Sequence, residues 1–270
     1  AAVINIDDDM GAALARSLAA RALDVWTVSC SGDARLRATD IRWDSQGLRV
    51  TVCEAQARHD MTTHLIGHYN VSNLLEVIAT MRALGVSLAE CVAACRTLHP
   101  VPGRMECQGE TGQPLAVVDY AHTPDALAQA LQALRPLAQQ RGGQLWCIFG
   151  CGGDRDPLKR PLMGAVAGQY ADQIVVTSDN PRSEKTDAII SQILLGLSHN
   201  ECVQVQADRA LAIAETVAAA APQDVIMLAG KGHEDYTEAA GAKRPCSDIG
   251  HACAALDKRG PGGAVARCTR

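Results

Sequence analysis

In the second half of the chain, short unbroken apolar runs recur between longer stretches of helical period. The runs fall at residues 115–119, 145–149, 173–177, 202–205 and 225–229, and the helical stretches at about 124–139, 157–170, 186–197 and 209–221. Continuous apolar strands separated by helices predict a parallel sheet covered on both faces. The first hundred residues read differently. Alternation predicts strands at 3–6, 25–29, 38–43, 48–53 and 61–66, with a helix at 10–20. Further helices are predicted at 74–79, after Gly67-His68-Tyr69-Asn70-Val71-Ser72-Asn73, and at 87–98, after a stop at Gly85. His99-Pro100-Val101-Pro102-Gly103 cannot continue a helix and reads as a linker. The expected domains are therefore 1–100 and 101–256. Residues 257–270 are Gly-rich, lack periodicity and carry four basic residues against Asp257, so a disordered tail is expected.

Composition narrows the classes. Of 270 residues 47% are hydrophobic but only 3% aromatic, so the core must be built from Ala, Val, Leu and Ile. A balance of 25 basic against 30 acidic residues argues against a nucleic-acid partner. No charge-free apolar run reaches membrane-spanning length, so no membrane insertion is expected. The eleven cysteines form no Cys-x-x-Cys pair, and most lie in apolar runs (Cys53, Cys91, Cys95, Cys147, Cys202). Cys91 and Cys95 share a helical face, but two ligands do not make a zinc site. Buried reduced thiols and a cytoplasmic location are expected, with no metal site. Val3-Ile4-Asn5-Ile6 reads as a strand already under way, so the chain is expected to be a piece of something longer.

Chemistry gathers where predicted strands end. Asp7-Asp8-Asp9 precede a helix, where three acids suit the macrodipole; a metal reading of Asp7 and Asp8 is the alternative. Asn70 and Asn73 lie three apart, and Asn70 reads either as a helix cap or as a ligand group. In the second half four strand ends are polar. Asp119-Tyr120-Ala121-His122-Thr123-Pro124 places an acid and a histidine before a helix that Thr123 would cap, with Pro124 as its first residue. Gly150-Cys151-Gly152-Gly153-Asp154-Arg155-Asp156 lets backbone approach a ligand and offers a guanidinium. Asp179-Asn180-Pro181-Arg182 is stiffened by its proline. Gly230-Lys231-Gly232-His233-Glu234-Asp235-Tyr236 is the fourth. A dinucleotide fingerprint would need a third glycine after 152, and it is missing, which argues against a nicotinamide oxidoreductase. Two arginines and several carboxylates at one sheet edge suit a ligand carrying an ammonium and a carboxylate side by side.

In combination these motifs resemble the Mur ligases, and within them those that add meso-diaminopimelate to UDP-N-acetylmuramoyl-L-alanyl-D-glutamate. Gly67 to Leu75 and Pro102-Gly103-Arg104-Met105-Glu106 match the same family in order and spacing. The resemblance implies an α/β chain: the C-terminal part of a central ATPase domain, then a Rossmann-like, mostly parallel-sheet domain. It implies ATP-driven activation of a carboxylate as an acyl phosphate, which the diaminopimelate amine attacks, with ATP and Mg2+ as cofactors. By position, Arg155, Asp179, Asn180, Pro181, Arg182, Gly230 and Glu234 would hold diaminopimelate. Asn70, Asn73, Arg104, Asp119 and His122 would lie around ATP, with Lys159 and Lys231 as phosphate or substrate neighbours. No catalytic residue is assigned on this chain.

The departures limit the expectation. The family's Gly-Lys-Thr phosphate loop, modified lysine and Mg2+ ligands precede the strand that corresponds to Val3-Ile4-Asn5, and this sequence does not contain them. The chain alone is therefore expected to bind diaminopimelate weakly and not to turn over ATP. A catalytically incomplete amino-acid-binding remnant is one alternative. A lysine-adding relative is another, although such relatives typically lack the Arg182 equivalent. Folylpolyglutamate synthetases share the architecture without an expected Asp-Asn-Pro-Arg.

Overall fold

The computed structural model describes residues 1–44, 47–197 and 202–259. It divides into two compact units, Ala1–His99 and the residues from Pro100 onward.

The first unit runs β1 (Ala2–Asn5), α1 (Asp9–Ala19), β2 (Val25–Ser29), β3 (Leu36–Asp44), β4 (Gly47–Glu54), β5 (Ala57–Thr63), α2 (His68–Ala83) and α3 (Leu88–Ala94). The strands form one sheet in chain order, parallel from β1 to β3 and antiparallel from β3 to β5. Asp8 caps α1 by accepting from the Gly11 amide, which is the helix-start role of the acid cluster. Helix α2 buries Val71, Leu74, Leu75, Ile78 and Ala79 in one core with Val28, Leu36, Leu48, Val50, Val52 and Met61. Burying one such side chain contributes about 2 kcal/mol, so this stripe fixes the helix on the sheet. Two expectations shift. Helix α2 begins at His68 rather than 74, and β5 ends at Thr63 rather than 66. Helix α3 starts where expected, opened by a Ser87 capping box that was not foreseen, and a 3-10 turn at Cys95–Thr97 replaces its last turn.

The second unit runs β6 (Glu106–Gln108), β7 (Leu115–Asp119), α4 (Pro124–Arg141), β8 (Leu145–Phe149), α5 (Lys159–Tyr170), β9 (Gln173–Val176), α6 (Thr186–Leu194), β10 (Val203–Val205), α7 (Arg209–Ala219), β11 (Val225–Ala229), β12 (Tyr236–Ala239), β13 (Ala242–Pro245) and α8 (Asp248–Arg259). The sheet order is β10-β9-β8-β11-β7-β6, parallel except for β6 at the edge. Ala116, Val118, Trp146, Ile148, Val175, Ile226 and Leu228 share a core with Ala212, Ile213 and Val217 of α7 and Ala252 and Leu256 of α8. Thr123 accepts from the Ala126 amide and Pro124 opens α4, as the sequence predicts.

The β6 edge, the β12–β13 hairpin and α8 were not legible. The buried residues of α8 are Asp248, Ala252 and Leu256, an acid, a small residue and one large apolar residue, so the periodic signal is weak. The expectation of a tail from residue 257 is corrected: Asp257, Lys258 and Arg259 are the last turn of α8. Arg259 donates to the carbonyls of Val217 and Ala220, satisfying the open C-terminus of α7. Residues 260–270 lie outside the described residues. Among the described residues no helix is long and apolar enough to cross a membrane.

Candidate functional site

All strands from β7 to β11 point the same way, so the loops that follow β7, β8, β9 and β11 emerge at one sheet edge. They line a cleft of about 460 Å³. Arg155, Asp179, Asn180, Arg182, Gly230 and Glu234 all face it, as do His122, Lys159 and Asp156. Pro181 is not among the lining residues; it shapes the turn behind them. Three cationic and three carboxylate side chains therefore share one cavity.

The turn after β9 is built to unusual constraints. Arg182 adopts φ +51°, a left-handed conformation that costs a non-glycine residue about 1–2 kcal/mol. Its amide donates to the Glu238 carbonyl and its own carbonyl accepts from Ala240, so the turn is stitched to β12. The Asp179 carbonyl accepts from the Thr237 hydroxyl at 2.7 Å, and Asn180 Oδ1 accepts from the Glu238 amide at 2.9 Å. Two glycines allow the close approach. A Cβ at Gly153 would stand 2.0 Å from the Pro181 carbonyl oxygen, and one at Gly230 2.8 Å from Asp179 Oδ2.

Side chains then divide between those that present charge and those that anchor it. No hydrogen bond or ion pair ties the Arg155 guanidinium among the described residues, so it is exposed for an incoming anion. Arg182 donates to the Gly153 carbonyl at 2.7 Å and stands 3.8 Å from Glu238. Asn180 donates to Glu234 at 2.9 Å. Lys231, expected as a substrate neighbour, is completely buried. Its ammonium donates to Asn180 Oδ1 at 3.2 Å and lies 3.7 Å from Asp179 and 3.6 Å from Glu234, so it holds the acidic wall from behind. Lys159 does line the cleft and donates to the His122 carbonyl at 2.9 Å, tying the loops after β7 and β8.

Two arginines that the sequence reading missed act as frames. Arg160 is buried and forks onto Glu184 at 2.8 Å through both nitrogens, while also donating to Gln192 and to the Gly152 carbonyl. That fork, with the Asp154 amide as a second donor, holds the Glu184 carboxyl down at about 2. Arg209 is buried against Asp248. Sequence gave little signal for either: each sits at a helix start, where an arginine reads as a solvated surface charge.

The residues expected around ATP divide between the two units, and Arg104, Asp119 and His122 gather beside Tyr120 in the second. Asn70 and Asn73 lie in the first turns of α2 in the first unit. Asn70 is not the cap; Gly67 is, and Asn70 donates to the Ile66 carbonyl at 2.6 Å and accepts from Asn73 at 3.3 Å. In the second unit the Arg104 guanidinium lies 4.9 Å over the Tyr120 ring. Asp119 is buried and its two oxygens accept from the amides of Met105 and Ala121. Burial raises its pKa against the pull of those amides and of Arg104. Burial likewise pushes the Cys151 thiol in the cleft loop up to about 12, which disfavours the thiolate there. Cys202 departs from the expected burial and is exposed.

The second unit is an α/β fold with a mixed-charge cleft at the carboxyl edge of its sheet. The family profile described as Mur ligase, glutamate ligase domain, matches residues 103–232, and that of the Mur ligase middle domain matches residues 1–81. The chain belongs to the Mur ligase family. It is 58% identical over 260 residues to a UDP-N-acetylmuramoyl-L-alanyl-D-glutamate–2,6-diaminopimelate ligase of Acidovorax sp., covering 96% of this chain and 52% of that one. A solved structure of a ligase of the same name superposes with a TM-score of 0.72 at 33% identity, covering 95% of this chain and 53% of the other. A MurF ligase of Thermotoga maritima solved with ADP superposes at 0.65 with 16% identity, covering 95% and 52%, and shares the fold. The chain spans about half the length of the curated relatives it matches.

Proposed function

We propose that this chain is the part of a peptidoglycan-precursor ligase that selects meso-diaminopimelate. The reaction would join diaminopimelate to the D-glutamate of UDP-N-acetylmuramoyl-L-alanyl-D-glutamate in the cytoplasm. The observation that carries the reading is the charge pattern of the cleft, which exposed Arg155 and half-buried Arg182 line together with Asp179 and Glu234. Diaminopimelate has an ammonium and a carboxylate at each end. One end fits between the arginines and the acids, leaving the other amine outside the clamp. A lysine has no distal carboxylate for the arginines to hold.

The reaction needs that second amine delivered to an acyl phosphate, formed when the γ-phosphoryl of ATP is transferred to the glutamate carboxylate with release of ADP. The amine lone pair forms the C–N bond, the amine gives up its proton, and the carbon–oxygen bond to phosphate breaks. The contribution of this chain is positioning: a clamp fixed by buried cations holds the amine's far end in one place. Asn70, Asn73, Arg104, Asp119 and His122 are assigned to the ATP side of the reading. Among the described residues no three His, Cys, Asp or Glu side chains converge as a metal cluster, so no step is assigned to a Mg2+ held here.

Calorimetric titration of the chain with meso-diaminopimelate and with L-lysine tests the reading. Binding of diaminopimelate at least tenfold tighter than lysine, about 1.4 kcal/mol, is expected. Equal affinities for the two would overturn it. With both substrates and ATP present, the chain is expected to release no ADP.

A further inference from the structure

We infer that Arg209 and Asp248 are positioning residues that set the spacing of the two acidic walls of the cleft, without touching a ligand. This inference rests on the reading of the cleft as an amino-acid clamp. Neither residue lines the cleft, and both are buried. Asp248, at the start of α8, accepts from Arg209 Nε at 2.7 Å and from Nη2 at 2.6 Å, which fixes the guanidinium plane. The fork then reaches the backbone of two separate loops. Nη1 donates to the Ser178 carbonyl at 3.1 Å, and Nη2 to the Ala229 carbonyl at 3.0 Å.

Those two carbonyls are not arbitrary. Ser178 directly precedes Asp179, and Ala229 directly precedes Gly230, so each bond lands on the last peptide before a cleft-lining residue. One rigid, planar cation thus spans the turns that carry Asp179-Asn180 and Lys231-Glu234. A lysine in its place would present a single point donor, unable to keep the bidentate grip on Asp248 and reach both carbonyls. Burial works against the Arg209 charge, but the carboxylate of Asp248 beside it more than offsets this, with a smaller contribution from Asp179, and its pKa is raised. Arg209 therefore stays charged inside the fold, where its hydrogen bonds are strong and directional.

The frame repeats on the other side of the β9 turn. There Arg160 joins Glu184 to the Gly152 carbonyl. Arg160 links the loop after β8 to the β9 turn, and Arg209 links the β9 turn to the loop after β11. The two arginines brace three consecutive walls of one clamp, and neither is spent on the ligand. Arg209 differs in that its partner comes from α8, a helix with no residue in the cleft.

The test uses the whole chain in three forms: wild type, the double variant Arg209→Met/Asp248→Leu, and Arg209→Lys. Three properties are read in each: the urea midpoint, amide hydrogen exchange, and affinity for meso-diaminopimelate. Replacing a buried ion pair by apolar side chains of similar volume is often neutral for stability, so the double variant is expected to keep a midpoint near wild type. Exchange at residues 178–182 and 230–234 is expected to quicken at least about tenfold, with β8 and β11 unchanged, and diaminopimelate affinity to fall about tenfold or more. The same loosening is expected in Arg209→Lys, which decides the matter if the double variant does not fold. A folded variant with wild-type exchange in both loops would overturn the inference. Failure of the wild type to bind diaminopimelate would instead count against the proposed function, and the exchange comparison would still decide the role of Arg209.

Discussion

The two units each end a parallel strand in acid, and they use that acid in opposite ways. In the first, Asp7 follows β1 and is consumed by its own surroundings. It accepts from the Ser29 hydroxyl at 2.5 Å, the Ser31 hydroxyl at 2.6 Å, the Cys30 amide at 2.8 Å and the Ser31 amide at 3.2 Å. Burial would raise its pKa, but these donors outweigh it and hold the carboxyl below its ordinary value. In the second unit, Asp179 follows β9 and faces a cleft. There the turn is held by other groups: the Thr237 hydroxyl on the Asp179 carbonyl, the Glu238 amide on the Asn180 side chain and the buried fork of Arg209 on the Ser178 carbonyl. An acid at a strand end is available to a ligand only when something else holds the loop.

The largest expected effect comes from separating presentation from scaffold at Arg182. Its left-handed backbone is strained, whereas glycine adopts it freely. Arg182→Gly should therefore relieve about 1–2 kcal/mol of strain while losing the bond to the Gly153 carbonyl, for a net stability change within about 1 kcal/mol. Loss of a charged partner for a ligand carboxylate should weaken meso-diaminopimelate binding by about 2 kcal/mol or more, roughly thirtyfold. Urea denaturation and calorimetry read the two effects separately. A variant that unfolds as easily as it loses ligand would show that Arg182 is scaffold, and the contrast with Asp7 would collapse.

The converse applies to Asp7. Asp7→Asn removes the charge and part of the acceptor capacity that closes the 29–31 turn. A loss of about 1–3 kcal/mol in the urea transition is expected, with diaminopimelate affinity unchanged. A drop in affinity with an unchanged midpoint would make Asp7 a ligand group and contradict its assignment to the loop.

How much of this was legible in the sequence follows the same division. The strands β7, β8 and β11 were readable to the residue because both faces are buried and the runs are unbroken. The residues that present charge were readable too, since Arg155, Asp179, Asn180, Arg182 and Glu234 stand in turns where polar residues have no packing reason to be. The residues that hold those turns were not. Arg160 and Arg209 open helices, where a basic residue carries no pattern, and their partners Glu184 and Asp248 lie 24 and 39 positions away. The stitching of Arg182 to β12 depends on an edge pairing that no periodicity announces. Periodicity reports burial along one element, whereas a clamp is a relation between elements.

The smallest expected effect concerns pH, because the carboxylates that hold loops respond with different signs. Glu184 is lowered from an ordinary 4.5 to about 2 by Arg160 and the Asp154 amide. A depressed carboxyl contributes stability that is complete above 4.5 and is lost as pH falls toward 2. Asp7, also lowered, acts in the same direction. Asp119 is raised, so the folded chain holds its proton more tightly and its contribution favours the fold as pH falls. Glu184 keeps a third of its side chain in solvent, so screening makes its share modest. Between pH 7 and 4.5 the Arg160–Glu184 frame should therefore leave the urea midpoint unmoved. Between pH 4.5 and 3 the wild type should lose stability more steeply than Glu184→Gln, with exchange quickening first at residues 152–154 and 182–184. Parallel curves for the two proteins would show that the Arg160 fork does not hold the turn through charge. The frame on that side of the cleft would then rest on Gln192 and the Gly152 carbonyl alone.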